Sequence, residues 1–158
     1  MKSVPDFCDE YSDKIQILQI NFKNFGAVDK FCGEIVTVKC PEDNSLLRRL
    51  LGDDGTGKVL VVNGGASNAC AYLGDNLALL ACQNNWAGIL INGMVRDVDE
   101  LAKMQIGIKA LGAHPKKSEK RGLGEFGHDI EFGGVKFQSG AFVYSDNNGV
   151  IVSSSQLL

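Results

Sequence analysis

The chain has 158 residues, a formal net charge of −3 and a sequence pI near 5.3, with 44% hydrophobic and 22% charged residues. That is ordinary for one globular domain with a sizeable core, and the acidic balance argues against direct nucleic-acid binding, which leaves a clustered basic footprint. No run approaches a membrane span, and the first fourteen residues, MKSVPDFCDEYSDK, carry four acids and no apolar signal-peptide core; the five cysteines, with no disulfide pattern, make the cytoplasm the expected location.

In chain order, residues Pro5 to Asp13 read as a short helix. Phe31 to Lys39 (FCGEIVTVK) alternates and is rich in β-branched residues, a strand pattern. Asn44, after Pro41-Glu42-Asp43, is placed to cap a helix over SLLRRLL that stops at Gly52. Lys58 to Asn63 (KVLVVN) reads as a buried strand closed by Gly64-Gly65, which mark a tight turn. A helix from Gly74 to Asn84, a strand from Gly88 to Ile91 and a turn carrying Arg96-Asp97 follow. Val98 to Met104 reads as a short helix and Ile108 to Ala113 as a strand. From His128 the pattern becomes DIEF-GG-VKF and AFVYSD-NNG-VIVS, two hairpin signals. Alternation first and hairpins later predict an α/β fold with a mixed sheet that curls toward a barrel.

Several motif-like stretches carry no chemistry. Gly52 to Lys58 (GDDGTGK) matches part of a phosphate loop, but Val59 stands at the magnesium-binding hydroxyl position, Asp53 and Asp54 repel phosphate, and the order helix–loop–strand is reversed. No G-x-G-x-x-G follows a strand, which removes support for a dinucleotide or methyl donor in a Rossmann setting. Cys8, Cys32, Cys40, Cys70 and Cys82 are odd in number and form no C-x-x-C, so they read as small hydrophobes rather than disulfides or zinc ligands. His114 and His128 have no triad-like or zinc-like neighbours.

The chemistry concentrates in Gly74-Asp75-Asn76-Leu77 and Arg96-Asp97. A helix N-terminus offers unpaired N–H groups to an anion, and Arg beside Asp adds a cationic fork and a hard oxygen ligand. The same residues admit plainer roles: Asp75 as an N-cap, and Asp97-Val98-Asp99-Glu100 as a capping box. Lys116, Lys117, Lys120 and Arg121 form a basic run after Pro115 that reads first as a solvated loop and, as the weaker alternative, as a contact to an anionic substrate.

The stretches NFGAVDKFCGEIVTVKC, EDNSLL, GKVLVVNGGAS, GDNLA, RDVDELAKMQIGIKALGAHP, FGGVKF and YSDNNGVIVS, in that order, span nearly the whole chain. In them the sequence resembles the family of regulator of ribonuclease activity A and the related class II 4-hydroxy-4-methyl-2-oxoglutarate aldolases. The resemblance implies a compact swivelling-type α/β domain over residues 1–158 that assembles as a homotrimer with clefts between subunits. It implies that Gly74, Asp75, Asn76, Leu77 and Arg96 hold a pyruvate-like 2-oxo acid, that Asp97 binds a divalent cation (magnesium or manganese), and that Asp75 lies near metal-bound water. Retro-aldol cleavage with secondary oxaloacetate decarboxylation is the activity implied. Longer aldolases of the family add a C-terminal segment that lends a carboxylate to the neighbouring subunit. The sequence stops at Leu158, so the likeness is to the short regulator branch, whose members bind and inhibit ribonuclease E by protein contact.

Overall fold

The structure, a computed structural model, describes residues 1–157. Its elements are α1 (Val4–Glu10), β1 (Ile15–Ile17), β2 (Lys23–Asn24), β3 (Phe31–Lys39), α2 (Ser45–Leu51), β4 (Lys58–Asn63), β5 (Ala71–Leu73), α3 (Asp75–Gln83), β6 (Gly88–Val95), α4 (Val98–Leu101), β7 (Gly107–Ala113), β8 (Glu125–Phe126), β9 (Ile130–Phe132), β10 (Val135–Phe137), β11 (Phe142–Asp146) and β12 (Gly149–Ser153). Ten strands form one mixed sheet in the order β1-β12-β11-β3-β4-β6-β7-β2, with β5 on β6 and β8 on β3; β9 and β10 pair separately.

The centre of the sheet, β3-β4-β6-β7, is parallel, and its flanks are antiparallel. Parallel strands are covered on both faces, which is why KVLVVN and GILI read as continuous apolar runs. Side chains still alternate between two cores. Leu60, Val62, Ile89 and Ile91 face the layer holding α2, α3 and α4, while Val59, Val61 and Leu90 face a second core closed by the β9–β10 hairpin. Val38, Val62, Ile91 and Ala110 stand in register across the four parallel strands, all fully buried, and lock the alignment of their carboxyl ends. The small helix α1 covers the far edge, with Phe7 against Tyr144.

The mixed α/β sheet flanked by helices agrees with the sequence reading, as do both hairpins. Gly133 and Gly134 take φ of 58° and 75°, the left-handed pair a two-residue hairpin turn needs. Some boundaries differ. The first helix ends at Glu10 rather than Asp13, and the short fourth helix ends at Leu101 rather than Met104. The stretch Gly93-Met94-Val95, read as a turn, continues β6, because β5 and β7 supply partners across a register shift after Ile91. Strands β1, β2, β5 and β8 are two or three residues long and carry no alternation by which to find them.

Candidate functional site

The parallel strands all point their carboxyl ends to one rim, and the predicted residues gather there. Strand β5 ends at Leu73 and passes directly into α3, while β6 ends at Val95 and delivers Arg96-Asp97 beside it. The Arg96 N–H donates to Leu73 O at 2.8 Å, so the two connections are stitched together by backbone. A pocket of about 100 Å³ opens here, lined among others by Gly74, Asp75, Asn76, Leu77, Arg96 and Asp97. The structure therefore brings together every residue picked out in the sequence as catalytic, substrate-binding or metal-ligating.

The capping roles change on inspection. Gly74, with extended backbone, is the N-cap of α3, and Asp75 is its first helical residue rather than its cap. Asp97 sits at the N-cap of α4 but makes no side-chain bond to that helix. Its Oδ2 instead accepts the Asp75 N–H at 2.9 Å, capping α3 across the gap between the two connections. Asp97 adopts φ 57°, ψ 41°, a left-handed conformation uncommon for a non-glycine residue and shared here with Glu42, Ala66 and Asn85. Gly74 makes this approach possible, since a Cβ there would lie 2.6 Å from Asp97 Oδ2.

With one donor of the first turn taken by Asp97, the N–H groups of Asn76 and Leu77 have no acceptor one turn back in their own helix. Both residues and the half-buried Arg96 line the pocket. Asp97 is exposed, with a second carboxylate oxygen beyond the one that caps α3. A single carboxylate suits magnesium or manganese, which fill their remaining positions with water and substrate oxygens. No group of three His, Cys, Asp or Glu side chains stands together as a metal cage among the described residues.

Four further lining residues were not assigned to the site from the sequence. Arg48 projects from α2, and Lys117, Ser118 and Lys120 come from the basic run read as a solvated loop. That run is a strap: Ala71 N–H donates to Lys116 O at 2.8 Å, Lys117 bridges to Ala71 in parallel, and Asn44 N–H donates to Ser118 Oγ at 3.2 Å. Asn44 does not cap α2 with its side chain. Its Nδ2 donates to Tyr72 O at 3.0 Å, and its buried Oδ1 has no partner among the described residues. Only the Lys-rich composition after Pro115 hinted at this wall, because strap and pocket are far apart in sequence.

The decoys stay structural. In GDDGTGK the Asp54 carboxylate accepts the Thr56 N–H and hydroxyl, folding a tight connection into β4. Gly65 turns at φ 65° with its N–H on Asn63 Oδ1. A larger hollow of about 530 Å³ lies beside this turn, lined by Cys40, Gly64, Leu123 and neighbours, and holds none of the predicted residues. All five cysteines are free thiols; burial pushes the Cys40 thiol up to about 12, which leaves it inert.

Comparison with known proteins adds independent findings. The RraA-like family model, described as Aldolase/RraA, matches residues 4–152. A protein of Pseudomonas fluorescens (strain Pf0-1) named "Putative 4-hydroxy-4-methyl-2-oxoglutarate aldolase" is 52% identical over 153 residues, covering 97% of this chain and 94% of its own. A Pseudomonas putida (strain W619) protein of the same name is 53% identical over the same shares. Among solved structures, one named S-adenosylmethionine: 2-dimethylmenaquinone methyltransferase, from Geobacillus kaustophilus HTA426, superposes with a TM-score of 0.97 at 42% identity, covering 99% of this chain and 97% of that one. The RNA-processing inhibitor RraA from Thermus thermophilis superposes with a TM-score of 0.96 at 38% identity, covering 100% and 96%.

Proposed function

The chain belongs to the RraA-like family, and from that premise we propose that the pocket between α3 and the end of β6 cleaves 4-hydroxy-4-methyl-2-oxoglutarate into two pyruvates. One observation carries the reading: the first turn of α3, Arg96 and Asp97 converge on a single small pocket through the Asp97–Asp75 hydrogen bond. The substrate's 2-oxo acid head lies on the N–H groups of Asn76 and Leu77, where helix geometry favours a carboxylate. Arg96 donates to the 2-oxo oxygen, which becomes the enolate oxygen. Asp75, directly or through a water, takes the proton of the 4-hydroxyl. The 4-oxygen then forms a carbonyl, the C3–C4 bond breaks, and its electron pair moves into the C2–C3 enolate. Protonation at C3 gives the second pyruvate. A divalent cation held by Asp97 would supply Lewis acidity to the same oxygens. Oxaloacetate loses carbon dioxide through the same enolate, so it serves as a secondary substrate.

Of the functions named among the relatives, methyl transfer is the least favoured. The lining of the small pocket suits the head of a small anion rather than the nucleoside of a methyl donor. No glycine-rich dinucleotide turn follows any strand either. A second reading rests on the likeness to the Thermus inhibitor: a trimeric regulator that binds and inhibits ribonuclease E by protein contact. It does not require the left-handed Asp97 or the donors converging in the pocket. A homotrimer is the assembly proposed in either case.

The test is pyruvate release from 4-hydroxy-4-methyl-2-oxoglutarate and from oxaloacetate, with magnesium or manganese and with excess chelator. Turnover that disappears in chelator and returns with the cation is expected. Turnover unchanged by chelator removes the cation from the proposal, and no turnover under any condition, together with a complex with ribonuclease E at micromolar concentration, favours the regulator.

A further inference from the structure

The largest investment of buried polarity near the pocket is not in the pocket. Asp43, on the connection between β3 and α2, is fully buried. Its Oδ1 accepts the Ser45 N–H at 2.9 Å and the Ser45 hydroxyl at 2.6 Å. Its Oδ2 accepts two N–H groups from a segment nearly eighty residues away, Arg121 at 2.7 Å and Leu123 at 3.0 Å. Ser45 Oγ in turn accepts the Gly122 N–H at 3.3 Å, and Arg121 Nη2 donates to Pro41 O at 3.0 Å. Three consecutive backbone N–H groups of the strap are thus held by one carboxylate and its hydroxyl partner. Burial alone would raise the Asp43 carboxyl, but the Ser45 hydroxyl and the Leu123, Ser45 and Arg121 N–H groups outweigh it and hold it well below the usual carboxylate range.

Residues 116–118 are fixed at one end of the strap by Ala71 and Asn44, and residues 121–123 at the other by Asp43. Between the two anchors the chain passes the pocket, and Lys117 and Lys120 line it together with Arg48. A lysine on an untethered loop gives little net attraction, because ordering it costs entropy and water screens it. The same lysine on a tethered backbone loses less on binding.

We propose that Asp43 is a positioning residue: its buried carboxylate clamps the strap over residues 116–123 so that Lys117 and Lys120 form a cationic wall, which selects 2-oxo acids bearing a second carboxylate remote from the 2-oxo head. The inference rests on the 2-oxo acid reading of the pocket. Asp43 touches no substrate and acts only through the strap. Its loss weakens binding of the remote carboxylate and leaves the contacts of Asn76, Leu77 and Arg96 to the head in place.

Two measurements on the full chain test this. The first is native-state cleavage by trypsin after Lys120 and Arg121, followed by mass spectrometry. Asp43→Asn, which replaces one acceptor oxygen by an NH2 that cannot pair with the strap N–H groups, is expected to speed that cleavage at least tenfold. The second is calorimetric binding of pyruvate, a head without a tail, and of 2-oxoglutarate, the same head with a remote carboxylate, both with magnesium. The wild type is expected to favour 2-oxoglutarate by about fivefold, the worth of one partly screened charge-assisted contact. In Asp43→Asn and in Lys117→Gln/Lys120→Gln that preference falls toward unity, with pyruvate affinity held within about twofold. Ser45→Ala, which removes the Oγ contacts but keeps the carboxylate, shows both changes at smaller size and serves if Asp43→Asn does not fold. Cleavage at the wild-type rate in the variant overturns the clamp. Faster cleavage with an unchanged preference overturns its role in selection. Failure of the wild type to bind either acid overturns the 2-oxo acid reading itself, and the wall with it.

Discussion

Two aspartates in this molecule do the same local job with opposite consequences. Asp97 Oδ2 accepts the first N–H of α3 at 2.9 Å, and Asp146 Oδ2 accepts the first N–H of α1, from Val4, at 2.8 Å. Each is a carboxylate brought from a distant strand end to a helix N-terminus. Asp146 is buried, its Oδ1 also accepts the Asn148 N–H at 2.8 Å, and the buried Lys109 ammonium lies close and donates to the Asp146 carbonyl. Burial would raise the Asp146 carboxyl, but the Val4 and Asn148 bonds and the Lys109 charge lower it. All its capacity is used internally. Asp97 is exposed, strained in backbone and bound on one oxygen, with Arg96 and an open pocket beside it. A helix-capping carboxylate becomes a candidate ligand site when one oxygen remains for solvent.

The contrast predicts that substitutions at the two aspartates separate turnover from stability. Asp97→Asn keeps an oxygen to accept the Asp75 N–H and loses the charge. Pyruvate release is expected to fall at least ~10³-fold, a metal ligand and transition-state charge lost together, with thermal melting within a few degrees of wild type. Arg96→Ala is expected to lower kcat by roughly 10²–10³ through loss of a donor to the enolate oxygen. Asp146→Ala is expected to cost about 3 kcal/mol in urea unfolding, because it orphans the Val4 N–H and leaves the buried Lys109 with only Asp29 as counter-charge. The surviving folded fraction of that variant should turn over normally, and a loss of specific activity would show that the two sites are not independent.

A smaller effect appears with pH. The Asp43 and Asp146 carboxyls are both lowered on folding. A lowered carboxyl contributes stability that is present above its unfolded value, near 3.9, and is lost as pH falls through the folded value. The urea midpoint of the wild type should therefore drop steeply below about pH 4. The stability gap between wild type and Asp43→Asn should narrow over the same interval, and a gap that stays constant from pH 7 to pH 3 would remove Asp43 from the acid transition.

How much of this was legible in the sequence follows from the range of the interactions. The KVLVVN and FCGEIVTVK strands and the Gly133-Gly134 hairpin depend on period and turn chemistry within a few residues, and they stand where the pattern put them. The GDNL and RD pair could be picked out as candidates because helix starts and Arg–Asp neighbours have local signatures, and the structure brings them to one pocket. What Asp97 binds was not, since the choice between its own helix and α3 is made by a contact twenty-two residues away that only the β5–β6 pairing creates. Asn44 misled for the same reason: Asp43 beside it makes the bonds expected of a cap, and the Asn44 amide turns to Tyr72. The strap was read first as a solvated loop because its charges are local and its tethers are not.

The central claim is that the α3 start, Arg96 and Asp97 together stabilise a pyruvate enolate, and it is most directly tested without any choice of aldol substrate. Pyruvate incubated with the protein and magnesium in D2O should exchange its methyl protons for deuterium, followed by proton NMR, at a rate proportional to protein concentration. Exchange is expected to be abolished by chelator and by Asp97→Asn and to fall at least about 10²-fold in Arg96→Ala. Exchange no faster than in buffer with the folded, magnesium-supplied wild type would contradict it.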